Sequence, residues 1–290
     1  FQYSPYAYFN EHCIFLDQKH IPMIINQQTL INLVDIEKQL PEYFVGSNAD
    51  LPIVGGSMLA HEHYQGGRHI FPMMKAKIKK EIYFEKYPEV KAGIVDWPMS
   101  DLRLISKNSL DLIDLGSKII NFWDHYSDPA RQIKAFEGNS KHHTVTPITH
   151  RKGKSFILDL VLRDNNTSDE YPLGIFHPHA ELWHIKKENI GLIEVMGRAI
   201  LPGRLKGELE EVRKYLLNQN NQIADSHLDW ARKLKTDSQI TKENVDQILQ
   251  QALVEIFDQV LECAGVFKNN EDGEIGWQKF TDALISEVDR

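Results

Sequence analysis

Short runs of apolar residues divide the first half of the chain. Runs typical of strands lie at residues 13–16, 43–45, 93–97 and 156–162. In the last of these, the apolar side chains alternate as they do in a half-buried strand. Between the runs, apolar residues recur at spacings of three and four over residues 27–39 and 109–126, which predicts two amphipathic helices.

The pattern changes from about residue 186 onward, where long helix-favouring segments follow one another. We predict helices over residues 189–199, 205–218, 226–234, 241–264 and 276–288. The helix over 241–264 would begin at Thr241, a residue type that caps helix N-termini. The fold class is therefore α+β, with a helical region at the C-terminal end.

Composition narrows the class of protein. The chain has 290 residues, of which 42% are hydrophobic, enough for one large domain or two modest ones. A net charge of -8 argues against a general nucleic-acid or membrane-surface binder, because those need a concentrated basic face. No apolar run approaches the roughly 20 residues of a membrane span, and no charged-then-apolar leader is present.

The two cysteines, Cys13 and Cys263, are far apart and form no C-x-x-C pair. They provide neither a disulfide framework nor a thiolate metal site, which suits the reducing cytoplasm. The chain begins with Phe1 rather than Met, and its first residues are already rich in aromatic side chains. The interpretation of the chain as a fragment of a longer protein therefore stays open.

Residues 46–67 carry the densest group of candidate functional side chains. If residues 58–65 are extended, the two-residue period of a strand projects His61, His63 and Gln65 from one face, at spacings of roughly 6–7 Å. Glycine pairs flank this row, and glycine allows the backbone to approach a phosphate closely. The segment predicts a phosphate pocket, whereas two histidines alone would also suit a polar strand edge.

The string HEHYQGG at residues 61–67 resembles the H-x-H-x-Q active-site motif of the galactose-1-phosphate uridylyltransferases, a branch of the histidine-triad superfamily. Further segments resemble the second, bacterial class of that family: YSPY at 3–6, NEHC at 10–13, SNAD at 47–50, HPHAE at 177–181 and KKENIGLIEVMG at 186–197. The likeness covers most of the chain. It implies a histidine-triad-like antiparallel sheet with flanking helices.

The same resemblance suggests three regions. Residues 1–135 would form the catalytic region with the H-x-H-x-Q motif. Residues 136–203 would form a second α+β region on the sugar-phosphate side, and residues 204–290 would form the helical C-terminal region.

The resemblance implies that His63 attacks the α-phosphorus of a UDP-sugar. Attack would expel a sugar 1-phosphate and leave uridylyl-His63, and a second sugar 1-phosphate would then take the uridylyl group in a ping-pong exchange between UDP-glucose and galactose 1-phosphate. A neutral imidazole is a competent nucleophile when its other ring nitrogen is fixed by a hydrogen bond. Gln65 stands where the hydrolase branch has a third histidine, and an amide donates hydrogen bonds but cannot act as a base for water.

The resemblance also assigns substrate contacts. The candidates are Asn48, Gly55, Gly56, Ser57, His179 and Glu181. Asn48 and Ser57 would contact phosphoryl oxygens, while the glycines let the backbone close in. An Asx turn is an equally good explanation of Asn48 from the sequence alone.

Metal ligands are a further implication of the resemblance. His61 matches a histidine that binds a structural metal in the better-known class, and His20 matches another ligand. The cysteines that complete that site have no counterpart here, so neutral hydrogen-bonded histidines are the alternative to a divalent metal such as Zn or Fe. His177 begins a second group, with His179 and Glu181, that suits either a divalent metal or a surface loop.

The expected partners are UDP-glucose, UDP-galactose and hexose 1-phosphates, with no nucleic acid and no membrane. Family members are commonly dimers, so a homodimer is expected. Three alternatives stay open: a catalytically incomplete fragment or domain of such an enzyme, a histidine-triad dinucleoside-polyphosphate phosphorylase, and a folded or oligomerising module formed mainly by the helical tail.

Overall fold

A computed structural model of the chain describes residues 1–56 and 58–290. Ser57 lies outside the described residues, and so does the phosphoryl contact predicted for it. The strands are β1 (Gln2–Tyr3), β2 (Cys13–Leu16), β3 (Phe44–Gly46), β4 (His63–Gly67), β5 (Ile78–Ile82), β6 (Lys91–Val95), β7 (Asp101–Ser106), β8 (Phe136–Glu137), β9 (Ser140–Lys141), β10 (His143–Lys152) and β11 (Ser155–Asp164). The helices are α1 (Gln27–Gln39), α2 (Pro72–Lys75), α3 (Ser109–Trp123), α4 (Leu192–Val195), α5 (Leu205–Leu216), α6 (Asp225–Asp237), α7 (Val245–Ala264) and α8 (Glu271–Val288).

One antiparallel sheet organises the described residues. Its nine strands run in the order β1-β2-β4-β3-β10-β11-β7-β6-β5. The long hairpin of β10 and β11 lies at the centre, and Gly153 at its turn has the positive φ of 61° that tight hairpins favour. This central hairpin pairs with β3 on one side and β7 on the other, so the boundary predicted after residue 135 falls between strands of one sheet.

The two faces of the sheet carry separate hydrophobic cores. Helices α1, α3 and α8 pack on the first face, where Leu104, Leu158 and Leu160 are buried. The second face is covered by α2, the segment around α4 and helix α7, and it buries Phe44 and Ile148. Period-two alternation along the strands separates these two sets of side chains.

The α+β fold with a helical C-terminal region is confirmed, and so are the helix over 27–39 and the strand over 13–16. The helix predicted over 189–199 is wrong, because only Leu192–Val195 is helical. Gly197 takes a positive φ of 96° just after it, packed against Trp97, which ends the helix. Over the described residues, no helix has both the length and the apolar character needed to cross a membrane.

The prediction that helix α7 begins at Thr241 is also wrong. Helix α7 begins at Val245, and Asn244 occupies the N-cap position. The Thr241 hydroxyl accepts a hydrogen bond from the backbone N–H of Glu243 at 3.2 Å, so it forms a local turn before the helix.

Candidate active site

His63 is the first residue of β4, and its side chain is buried with 6% of the residue exposed. Its Nδ1 lies 2.9 Å from the carbonyl oxygen of His61. A carbonyl oxygen only accepts, so Nδ1 must carry the proton and donate it. Nε2 is then left with a lone pair, and no hydrogen bond joins it to any residue that the structure describes. The backbone therefore selects the tautomer that a nucleophilic imidazole needs.

Gln65 lies two residues along β4, on the same face as His63. Its Oε1 lies 3.0 Å from Nε2 of His12, which therefore donates to the amide carbonyl. Burial lowers the pKa of His12, which keeps this ring neutral at neutral pH. Because His12 binds the carbonyl oxygen of the Gln65 side chain, the NH₂ group of Gln65 is left to donate a hydrogen bond to a phosphoryl oxygen.

The predicted row of His61, His63 and Gln65 on one strand face is wrong for His61. Residues 58–62 are irregular, and the strand begins only at His63. The His61 ring instead has Nε2 at 2.9 Å from the Asp17 carbonyl oxygen and contacts His20, with ring centroids 4.1 Å apart. His61 contributes to the row through its backbone carbonyl rather than its side chain.

Asn48 follows β3, the strand that pairs with β4, and lies two residues beyond its last residue, Gly46. Its Oδ1 accepts a hydrogen bond from the backbone N–H of Leu192 at 2.8 Å, a contact across the fold rather than an Asx turn. Its amide nitrogen lies against Gly56, where an added Cβ would approach it to 2.7 Å.

The glycine pair before the motif is packed too closely for side chains. At Gly55 an added Cβ would lie 2.4 Å from the Ala49 carbonyl oxygen, a distance that no side chain tolerates. Ile53, in the same loop, has a positive φ of 74°, which is strained for a β-branched residue. The loop before His63 is thus held in a tight conformation beside Asn48.

Arg163 is a buried cation on the same sheet face, and no local sequence pattern marks it as a site residue. It donates to the Thr146 hydroxyl at 3.2 Å and to the Ile190 carbonyl oxygen at 3.0 Å. Burial lowers the pKa of Arg163 to about 10, although Glu194 opposes this shift. Arg163 lies on β11, three strands from β4 in the sheet order, and its guanidinium reaches back to Thr146 on β10. Such a charge would favour a phosphoryl group there.

The candidate metal ligands do not form a complete site. His20 and His61 touch, but across residues 1–56 and 58–290 no three His, Cys, Asp or Glu side chains converge as ligands. His177 is buried with Nδ1 near the Pro178 carbonyl oxygen, while His179 stacks on Tyr171. These donors do not complete a zinc site, which takes three or four protein ligands.

The other predicted substrate contacts lie in a separate cleft. His179 and Glu181 line it together with Cys263 and Lys268. Of the residues predicted to contact substrate, the structure brings Asn48, Gly55 and Gly56 together in the loop that precedes His63. His12 joins Gln65 through its hydrogen bond, and Arg163 lies on the same sheet.

Comparisons with known proteins identify the family of this chain. A family model described as galactose-1-phosphate uridyl transferase, C-terminal domain, matches residues 36–232. A galactose-1-phosphate uridylyltransferase from Lactobacillus helveticus is 76% identical over 288 residues, covering 99% of this chain and 59% of that protein. Proteins of the same name from Pediococcus pentosaceus and Lactiplantibacillus plantarum are 59% and 58% identical, each over 98% of this chain and 58% of its own length.

Among solved structures, a DUF4931 family protein from Bacillus cereus covers 50% of this chain and 66% of its own at 11% identity, with a TM-score of 0.33 that is too low to support an argument. The chain spans about three-fifths of the length of the curated relatives it matches. The matched family model and the near-complete coverage by these relatives lead to one assignment: the chain belongs to the galactose-1-phosphate uridylyltransferase family.

Proposed function

We propose that this chain carries the uridylyl-accepting histidine of an enzyme that exchanges uridylyl between UDP-glucose and galactose 1-phosphate. The observation that carries the proposal is the hydrogen bond from Nδ1 of His63 to the His61 carbonyl oxygen, because it leaves Nε2 as an unprotonated nucleophile. Family membership supports the same reaction.

In the first half-reaction, Nε2 of His63 attacks the α-phosphorus of UDP-glucose. A nitrogen–phosphorus bond forms, the bond from the α-phosphorus to the bridging oxygen breaks, and glucose 1-phosphate leaves. The Nδ1 proton stays on the ring, where the His61 carbonyl oxygen stabilises the positive charge that develops. In the second half-reaction, a phosphate oxygen of galactose 1-phosphate attacks the same phosphorus and releases His63 as UDP-galactose forms.

Gln65 favours transfer over hydrolysis. Its NH₂ group is oriented by His12 and would donate to a phosphoryl oxygen of the intermediate. An amide has no basic lone pair to deprotonate water, so the uridylyl group would persist until the sugar phosphate arrives. This argues against a hydrolase.

We also propose a cytoplasmic homodimer that binds neither nucleic acid nor membrane. Cys13 and Cys263 are free thiols, which suits the cytoplasm. The net charge of -8 disfavours contact with polyanions.

The test is incubation of the chain with UDP-glucose, followed by intact mass measurement, with His63→Asn as the control. We expect one uridylyl group on the unchanged chain and none on the variant. The full-length Lactobacillus helveticus relative is the positive control. If the relative is labelled and this chain is not, the chain is a catalytically incomplete part of such an enzyme. Equal labelling of His63→Asn would contradict the role of His63.

A further inference from the structure

A second cleft lies on the same sheet face as His63. It is formed by residues 41–44, residues 69–78, the end of β10 and the outer faces of β6, β7 and β11, and we call it the basic cleft. Its volume of about 790 Å³ is within the range of sites for organic ligands. Phe44, Ile105 and Ile157 give it apolar walls.

The basic cleft lies at the far end of the strands from His63. Phe44 lines the cleft and pairs with Gly67, which lies four residues from His63 at the other end of β4. At about 3.3 Å per residue this separates the two places by roughly 13 Å. Leu192 packs over Gly46 between them, where an added Cβ would approach its Cδ1 to 2.8 Å.

The cleft carries positive charge in an otherwise acidic chain. Lys75, Lys77 and Lys152 line it, are exposed, and form no ion pair with any described residue. The acidic residue in its lining, Glu42, pairs with Arg68 at 2.9 Å. The other lining cations are neutralised in the ion pairs Lys91–Glu81, Arg103–Asp159 and Arg151–Glu37. Three lysine charges therefore remain available to an anion.

One wall of the cleft is fixed by a buried ion pair. The Arg103 guanidinium binds both oxygens of Asp159, at 2.6 and 3.0 Å, and only 4% of Arg103 is exposed. It also donates to the carbonyl oxygens of Met73 at 2.9 Å and Ala76 at 2.7 Å. These bonds hold the backbone from which Lys75 and Lys77 project, so the lysines start from a rigid support.

The opposite wall adds His150 and Lys152 from the end of β10. Nε2 of His150 is buried 3.5 Å from an Asp159 carboxylate oxygen, so this ring packs against the same carboxylate that binds Arg103. Burial lowers the pKa of His69 at the edge of the cleft, and the nearby positive charges of Arg198 and Lys75 lower it further. The cleft thus combines lysine cations with the apolar side chains of Phe44, Ile105 and Ile157 in one lining.

We propose that the basic cleft binds an organic phosphate of nucleotide size that carries at least two phosphoryl charges. Lys75 and Lys77 contact its phosphoryl oxygens from one side, and Lys152 contacts them from the other. The apolar walls receive its organic part. This binding is separate from the uridylyl transfer proposed for His63.

The test uses the fluorescent nucleotide N-methylanthraniloyl-ADP as the probe. We expect the triple variant Lys75→Gln, Lys77→Gln, Lys152→Gln to weaken its binding by at least about tenfold, equivalent to about 1.4 kcal/mol. The matched control is Lys206→Gln, Lys242→Gln, Lys279→Gln, which removes three exposed lysines elsewhere and should bind like the unchanged chain. Inorganic pyrophosphate should compete with the probe.

Three results would overturn the proposal: no binding of the probe at millimolar concentration, equal binding by the two triple variants, or loss of binding in His63→Asn but not in the cleft variant. The last result would place the probe at His63. Uridylyl labelling of His63 is measured separately by mass. The proposed ligand binding in the cleft can therefore be contradicted while the proposed uridylyl transfer is supported, or the transfer contradicted while the binding is supported.

Discussion

The proposed nucleophile and its neighbours are controlled at the residue scale by single hydrogen bonds. His61 contributes a carbonyl oxygen that fixes the His63 tautomer, and His12 fixes the amide of Gln65. The two imidazoles thus have opposite roles: His63 is the proposed nucleophile, and His12 is the donor that orients its neighbour. Each task follows from which ring nitrogen carries the proton.

Substitution of His12 tests the role of its hydrogen bond to Gln65. In His12→Phe, the Gln65 carbonyl loses its donor and the amide is free to turn, so the uridylylation rate should fall about tenfold, a loss equivalent to one hydrogen bond. The rate is followed by quenched-flow mass measurement. His125→Phe, at an exposed histidine, is the control and should react like the unchanged chain. A His12→Phe rate equal to that of the control would remove His12 from the site.

At the scale of elements, the site depends on close contact between strand β3 and helix α4. Leu192 packs directly over Gly46, and Asn48 accepts the first N–H of α4. Both contacts join segments more than 140 residues apart in the chain. The short helix α4 can therefore lie close over the sheet because Gly46 has no side chain and because the Asn48 amide binds its first N–H.

Gly46→Ala tests this contact. The added methyl group would meet Leu192 Cδ1 at 2.8 Å and the Pro147 carbonyl oxygen at 3.1 Å, so the free energy of unfolding should fall by about 1–3 kcal/mol. The matched control is Gly207→Ala in α5, where nothing lies within 4 Å, and it should gain about 0.5–1 kcal/mol. Urea unfolding measures both. Equal stability of the two variants would contradict the packing described for α4.

Much of the fold could be predicted from local pattern. The H-x-H-x-Q string, the helix over 27–39 and the strand over 13–16 follow from spacing within a few residues. Strand β10 was not predicted, because Pro147 is unusual in a central strand. The Pro147 carbonyl oxygen accepts a hydrogen bond from the Ser47 N–H at 3.0 Å. Ser47 lies just beyond the end of β3, so the N–H that proline lacks is tolerated at this position.

The supporting residues of the site could not be predicted for a different reason. His12 reaches Gln65 across 53 residues of sequence, and Arg163 reaches the site only through the register of β10 and β11. No local pattern records a pairing of distant strands. His61 was misplaced because the strand begins two residues later than the alternation of the motif suggests.

At the scale of the whole molecule, acid should destabilise the fold through buried and half-buried histidines. Burial lowers the pKa of His12, His177 and His184. For His184, the nearby His227 and Arg204 lower the pKa further. Below the unfolded value of about 6.5, the unfolded chain binds protons that the folded chain does not accept. These groups therefore contribute stability above about pH 6.5, and this contribution is lost as the pH falls.

Urea unfolding at pH 7.5, 6.5 and 5.5 measures this effect. We expect the free energy of unfolding to decrease across this series, and the decrease to be smaller in His184→Gln. His125→Gln replaces an exposed histidine and serves as the control. A slope that is the same in His184→Gln and in the control would contradict the role of His184.

The most direct test of the account is nitrogen–phosphorus NMR of the chain labelled with ¹⁵N in its histidine rings, after reaction with UDP-glucose. We predict that the phosphorus couples to Nε2 of His63, while Nδ1 keeps the proton that it donates to the His61 carbonyl oxygen. Coupling to Nδ1 of His63, or to any other histidine, would contradict the central claim.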